Sequence, residues 1–273
     1  MENLKEKELG NLVNILSILQ KHFNRYIKIG GFPELVLSSD EEYAQRILRE
    51  DIVDKVLKRD MPSLFAIRNI SILEKVFLYL CFKSSNIINY SAMSQDLENT
   101  SIATIQDYIM YLKNANLIYE SNPINNTNSK ILKSNPKVYI VDSAIRNAVL
   151  MRDDIITDLA EMEYSVETAT YRHIYTYMKK YNGEVGYYRN GKTNKEIDIV
   201  GNSVKTNMYI EVKYREKSAI KKDNPLYEIP DKNDKIYIIT KESTDYGIIK
   251  LENGKKVVKI PAFAFLYLLG REE

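Results

Sequence analysis

Two apolar runs flanking a short polar turn carry the side chains of this protein best suited to chemistry. Residues 196–213 read EIDIVGNSVKTNMYIEVK. The first run, Ile197, Ile199 and Val200, holds Asp198; the second, Tyr209, Ile210 and Val212, holds Glu211 and Lys213. Gly201-Asn202 and Lys205-Thr206-Asn207 supply the turn, so both runs are predicted strands. Side chains alternate along a strand, which puts Glu211 and Lys213 on one face. Antiparallel pairing about the centre of the turn sets Asp198 opposite Glu211. Two carboxylates and an ammonium then meet on one patch. Such carboxylates hold Mg²⁺ or Mn²⁺, and a neighbouring lysine positions or deprotonates a water for phosphodiester hydrolysis. The same alternation is also what a half-exposed strand shows without any chemistry.

A third acid lies upstream. In residues 163–181, EYSVETATYRHIYTYMKKY, Val166, Ala169/Thr170, His173/Ile174 and Tyr177 recur with the period of an amphipathic helix. Glu167 falls in the first two turns of that helix, beside the apolar stripe. The predicted order is a helix with Glu167, a strand over 186–188, a strand with Asp198, and a strand with Glu211 and Lys213. Within it, residues 186–193 spell GYYRNGKT, the literal pattern of a phosphate-binding loop. Such a loop needs a helix opening at its Lys-Thr. Here a strand follows, Tyr187, Tyr188 and Arg189 are bulky, and Asn190-Gly191 signals a tight turn. The stretch reads as a hairpin, and no ATP is expected.

The 273 residues hold 39 Lys+Arg against 37 Asp+Glu, a net charge of +2. Nucleic-acid contact must therefore come from local patches, not bulk basicity. Hydrophobic residues make up 44% and charged residues 28%, the balance of a soluble globular protein. No apolar run approaches the roughly 20 residues of a membrane span. The segment MENLKEKELG is charged and leads into a helix, unlike a secretory leader, so a cytoplasmic protein without a membrane partner is expected. Cys81, alone in VFLYLCF, reads as a buried small hydrophobe. His22 and His173 stand far apart in sequence and offer no His-based site.

Three segments follow from the patterning. Residues 1–68 are mainly helical, with a stripe at Leu9, Leu12/Val13, Leu16 and Leu19, a break at Gly30-Gly31-Phe32-Pro33, and a further helix over 40–58. Residues 69–150 are predicted as a winged-helix domain. A helix carries Leu73, Val76/Phe77, Leu80 and Cys81 inward, and a short helix follows Tyr90. A third, from Ser101, carries Ile102, Ile105, Ile109 and Leu112 inward. Strands over 117–120 and 137–141 flank an Asn-rich wing. In a helix-turn-helix the last helix enters a major groove. Its outer face here offers Thr104, Gln106, Asp107, Tyr111 and Lys113, of which only Lys113 grips phosphate; packing or a protein partner is the alternative use. Residues 151–273 form the α/β domain with the acids. Just past them, 214–222 supplies Arg215, Lys217, Lys221 and Lys222 as candidates for holding a nucleic-acid backbone, with Arg189 as a further one.

The order helix-Glu167, strand-Asp198, strand-Glu211-x-Lys213 resembles the PD-(D/E)XK nuclease superfamily, of restriction-endonuclease-like fold. The wider set adds Gly-Gly-Phe-Pro-Glu at 30–34, Arg59-Asp60, the helix over 101–118 and Tyr-x-x-Asp at Tyr139 and Asp142. Together these resemble the C-terminal part of prokaryotic, especially archaeal, AAA+ ATPases. There a P-loop ATPase precedes a winged helix and a nuclease-like domain; residues 1–68 resemble only the end of that ATPase module. The resemblance implies an α/β multi-domain chain: a helical segment, a winged helix, and a restriction-endonuclease-like domain with a mixed central sheet. It implies Mg²⁺ (or Mn²⁺) on Glu167, Asp198, Glu211 and the Val212 carbonyl, with Lys213 completing the catalytic set. It implies DNA as substrate, with an ATPase in trans and a homodimer as possible partners. The alternative is a non-catalytic module that binds DNA or a partner through the same domains.

Overall fold

The computed structural model describes residues 6–38, 40–124, 134–152, 154–215, 224–229, 235–252 and 254–271. Along the chain, α1 (Glu6–Leu16), a 3₁₀ turn (Ser17–Leu19), α2 (Gln20–Ile29), α3 (Pro33–Leu37) and α4 (Glu41–Ile47) come first. Widened π-helical turns over Leu48–Asp54 and Val56–Asp60 lead into α5 (Met61–Leu64). Next come α6 (Ile70–Phe82), α7 (Tyr90–Asp96), α8 (Ile102–Asn114), β1 (Ile118–Pro123), β2 (Lys137–Ile140) and α9 (Ser143–Val149). Then follow α10 (Leu159–Lys179), β3 (Glu184–Arg189), β4 (Glu196–Asn202), β5 (Asn207–Lys213) and a 3₁₀ turn (Pro225–Glu228). The chain continues with β6 (Lys235–Thr240), β7 (Gly247–Lys250), β8 (Lys256–Pro261) and α11 (Ala262–Arg271). The architecture is α/β with a mixed sheet. No helix among the described residues is long and apolar enough to cross a membrane.

The chain divides into two compact units. One comprises residues 25–121 and 135–158. Its helices start where short polar side chains satisfy the otherwise orphaned N–H groups of a first turn. Asn69 caps α6 through Ile72 N–H, Asn89 caps α7 through Ala92 N–H, and Ser101 caps α8 through Thr104 N–H. The predicted stripe of α6 is buried from Leu73 to Cys81, and Ile105, Ile109 and Leu112 of α8 join the same core. Ile102 does not: it is 41% exposed, because it is the first helical residue, where the backbone still turns away from the core. Tyr111 is not an outer-face residue either, since its ring stacks on Phe65 with centroids 4.5 Å apart. Residues 118–121 of β1 pair antiparallel with β2, and Ile87 adds a single antiparallel bridge to Lys137. Most of the wing falls at 125–133, outside the described residues.

Two motifs far apart in sequence meet in this unit. Gly30 adopts φ +77°, a left-handed conformation that a Cβ strains, and an added Cβ would lie 2.7 Å from Asp142 Oδ1. Gly31 N–H donates to Asp142 Oδ2 at 2.9 Å, while Asp142 Oδ1 accepts from Ala144 N–H at 3.0 Å and so caps α9. The Gly-Gly turn and the Tyr-x-x-Asp acid are thus two halves of one joint. Asn147 reinforces it by donating to the Ile27 carbonyl at 3.2 Å.

The other unit comprises residues 1–24, 122–134 and 159–273. Asn122 and Pro123, the end of β1, pair parallel with Gly186 and Tyr187 of β3. From β3 the sheet runs β3-β4-β5-β6-β8-β7, with β3-β4 and β4-β5 antiparallel, β5-β6 and β6-β8 parallel, and β7 antiparallel on β8. The turn between β4 and β5 is tighter than the polar stretch predicted: β4 runs through Gly201 and Asn202, and Ser203 N–H closes on the Thr206 carbonyl. Glycine is required at Gly186, where a Cβ would stand 2.2 Å from the Asn122 carbonyl oxygen, and α10 crosses close enough at Gly201 for the Met178 methyl to fill a Cβ position.

Candidate metal site on two strands

The β4–β5 register pairs Ile199 with Ile210 and Val200 with Tyr209, and its continuation sets Asp198 across from Glu211. The paired ladder ends at Ile199–Ile210. Past that point the freed Val212 N–H donates to Asp198 Oδ2 at 2.8 Å. The aspartate side chain thus takes over a hydrogen bond that a strand would otherwise make, which fixes the carboxylate beside β5. Val212 itself continues the parallel ladder of β5 with Ile239 of β6.

Glu211 is 3% exposed, deep for a carboxylate. Its Oε1 accepts from Lys213 Nζ and, at 3.2 Å, from Asn224 Nδ2. Its Oε2 is buried with no hydrogen-bond partner among the described residues. Burial, and secondarily the charge of Asp198, push the Glu211 carboxyl up to about 7, against the opposing pull of Lys213 and Asn224. The Lys213 ammonium moves up as well: burial opposes its charge, but Glu211 and Asp198 together outweigh it. The two shifts are compatible, because the lysine answers to two carboxylates while Glu211 answers mainly to its desolvation. Lys213 is therefore a cation at neutral pH, suited to orienting water and to stabilising charge on phosphate rather than to accepting a proton.

Glu167 comes from a helix rather than from the strand pair. It lies on α10, which begins at Leu159, so it sits on the third turn and not the first two. One turn before it, Glu163 Oε1 lies 3.5 Å from Arg215 at the end of β5, so this part of α10 reaches the strand that carries Glu211. Among the described residues no group of three or more His, Cys, Asp or Glu side chains is arranged to hold a metal ion. The β4–β5 register does bring the Asp198 and Glu211 carboxylates together. Two carboxylates suit Mg²⁺, which keeps several waters and takes its remaining ligands from substrate phosphate. The orphaned Oε2 of Glu211 fits such a cation.

The candidate nucleic-acid contacts are scattered. Arg215 is exposed and ion-paired with Glu163; Arg189 is exposed and held by Asn194 at 3.2 Å and Glu196 at 3.8 Å. Lys217, Lys221 and Lys222 lie outside the described residues. On α8, Gln106 is exposed, the Thr104 hydroxyl shares a hydrogen bond with Ser101, and Lys113 is ion-paired to Glu120 at 2.6 Å. The GYYRNGKT stretch forms β3, a turn and β4, with Asn190 Oδ1 accepting from Lys192 and Thr193 N–H groups; strand, not helix, follows the Lys-Thr. Sequence reasoning missed Glu163 and Asn224. An Asn-Pro pair is a recognisable start for a turn or helix, but nothing local tells that Asn224 reaches back to Glu211.

Comparison with known proteins finds two family matches, each over less than half of the chain. Residues 20–155 match a domain of unknown function, DUF8612, and residues 163–263 match a second domain of unknown function, DUF4143. An uncharacterized protein of Haemophilus influenzae is 26% identical over 245 residues, covering 87% of this chain and 58% of the relative. An uncharacterized protein of Methanocaldococcus jannaschii is 28% identical over 226 residues, covering 79% of this chain and 50% of the relative. The chain thus spans about half the length of the curated relatives it matches. No solved structure matches it.

Proposed function

We propose that this protein is a metal-dependent nuclease of the PD-(D/E)XK type, hydrolysing DNA phosphodiester bonds. On this reading the unit holding β3 to β8 is restriction-endonuclease-like, and α6 to β2 form a winged helix. The observation that carries the proposal is Glu211: a buried carboxylate opposite Asp198, with one oxygen held by Lys213 and Asn224 and the other without a partner among the described residues. Burying such a group is costly unless something outside the described chain completes it. Glu211 Oε2 and the Asp198 carboxylate would hold Mg²⁺ or Mn²⁺; Glu167 and the Val212 carbonyl are the further ligands that the resemblance implies. When bound, the cation polarises phosphate and activates water. Lys213 would orient that water and offset charge on the phosphate, with Arg215 and Arg189 as candidate backbone contacts.

An ATPase working in trans is the partner that the resemblance implies, and pairing of two copies would allow both strands to be cut. A second reading for α6 to β2 has its own support. The outer face of α8 shows Ile102 and Met110, 41% and 47% exposed, while its one useful cation is engaged by Glu120. That surface suits a protein partner better than a phosphate backbone. The test is cleavage of linear and branched DNA with Mg²⁺ or Mn²⁺. Activity is expected in the wild type and lost in Asp198→Ala and Lys213→Ala with the fold retained; activity persisting in either variant contradicts the assignment.

A further inference from the structure

Asn224 sits at a junction that the strand motif does not predict. Its Nδ2 donates to Glu211 Oε1 at 3.2 Å, and its Oδ1 accepts from Leu226 N–H at 2.9 Å, capping the 3₁₀ turn Pro225–Glu228. The two bonds use the two ends of one amide, which fixes its orientation. That turn is itself anchored: Leu226 is fully buried in the core under the sheet, and Glu228 accepts from Asn190 Nδ2 at 2.5 Å, at the tip of the β3–β4 hairpin. Glu211 is thereby tied through Asn224 to a buried turn and on to the hairpin that carries Arg189.

We infer that Asn224 is a positioning residue for the metal site. With Lys213 it saturates Glu211 Oε1 and so turns Oε2 toward the cation, making Glu211 a one-oxygen ligand with a preset direction. Partners of this kind orient a ligand without touching the metal, and losing one lowers affinity about 10- to 100-fold. The inference rests on the metal-site reading above.

The test uses Asn224→Ser in the full chain. Serine remains a good cap for the turn but is too short to reach Glu211. Glu228→Gln serves as control: it weakens the anchor at the hairpin while leaving Glu211 untouched. Calorimetric titration of Mn²⁺ is expected to show about tenfold weaker binding in Asn224→Ser, with a wild-type melting temperature, and unchanged binding in Glu228→Gln. Wild-type affinity in Asn224→Ser overturns the inference. A second readout needs no metal. The side-chain amide resonance of Asn224 is expected to move in Glu211→Ala, which removes its acceptor, and to stay in place in Lys250→Ala, at the exposed far edge of the sheet. If the folded wild type binds no Mn²⁺, the metal-site reading fails, and the amide resonance alone decides whether Asn224 holds Glu211. A resonance indifferent to Glu211→Ala overturns the inference, whatever the metal does.

Discussion

Two buried carboxylates, Asp142 and Glu211, are solved differently by this fold. Asp142 is 2% exposed and spends both oxygens on backbone: Oδ2 on Gly31 N–H and Oδ1 on Ala144 N–H. It joins a turn to a helix cap across 111 residues of sequence and is complete in itself. Glu211 is 3% exposed and has donors on one oxygen only, from side chains, while its other oxygen has none among the described residues. A carboxylate that builds structure is satisfied by its own chain. One held half-satisfied, at a cost in stability, is the feature on which the proposed cation site rests.

The largest effect expected from this contrast is on Asp142. Asp142→Ala strands the buried Ala144 N–H and the half-buried Gly31 N–H, at up to about 1–3 kcal/mol each where water cannot replace the partner. A loss of several kcal/mol in denaturant-unfolding stability is expected, and a loss under about 1 kcal/mol would show that water or relaxation replaces the joint. Gly30→Ala attacks the same joint from the other side. Its Cβ would lie 2.7 Å from Asp142 Oδ1 at φ +77°, and a destabilisation of about 1–3 kcal/mol is expected.

The second prediction concerns pH. The Glu211 carboxyl stands at about 7 when folded and at 4.5 when unperturbed. Between these values the folded chain keeps a proton that the unfolded chain has released. Metal-free stability therefore falls as pH rises from about 4.5 to about 7 and levels off above. The drop is on the order of 3 kcal/mol. Glu211→Gln, which mimics the protonated acid, should remove this slope and match the wild type at pH near 5. Thermal melts across the window measure it; an unchanged slope in the variant would place the proton elsewhere. Metal binding carries the opposite sign. A cation competes with the Glu211 proton, so Mn²⁺ affinity should climb about tenfold per pH unit below about 7 and flatten above.

The smallest effect is at the rim. Arg215→Ala removes an exposed ion pair with Glu163, worth at most about 1 kcal/mol. Its stability should be nearly unchanged, whereas DNA affinity, read from the salt dependence of binding, should lose about one phosphate contact.

The strand pair of the site was legible because a short turn leaves little choice of register. Centring the turn between the two apolar runs put Asp198 opposite Glu211, and the Ile199–Ile210 pairing continues to that position. The helix carrying Glu167 was legible from its period, but its start was not. α10 begins at Leu159, before the apolar stripe becomes regular, and this moves Glu167 to the third turn. Alternation names the face of a side chain and not its distant partner. For that reason the Gly31–Asp142 joint and the Asn224 bond to Glu211 appear only in three dimensions. Inward-pointing Ile102 failed for a local reason: helical period describes the interior of a helix, and Ile102 is its first residue.

The central claim is that Asp198 and Glu211 form one cation site. It is tested most directly by calorimetric titration of Mn²⁺ into the folded protein at pH 8, beside Asp198→Ala. Saturable binding in the wild type, abolished in Asp198→Ala at unchanged fold, is the result this account predicts. Binding that survives the substitution, or a folded wild type that takes up no Mn²⁺ with or without DNA, would contradict it.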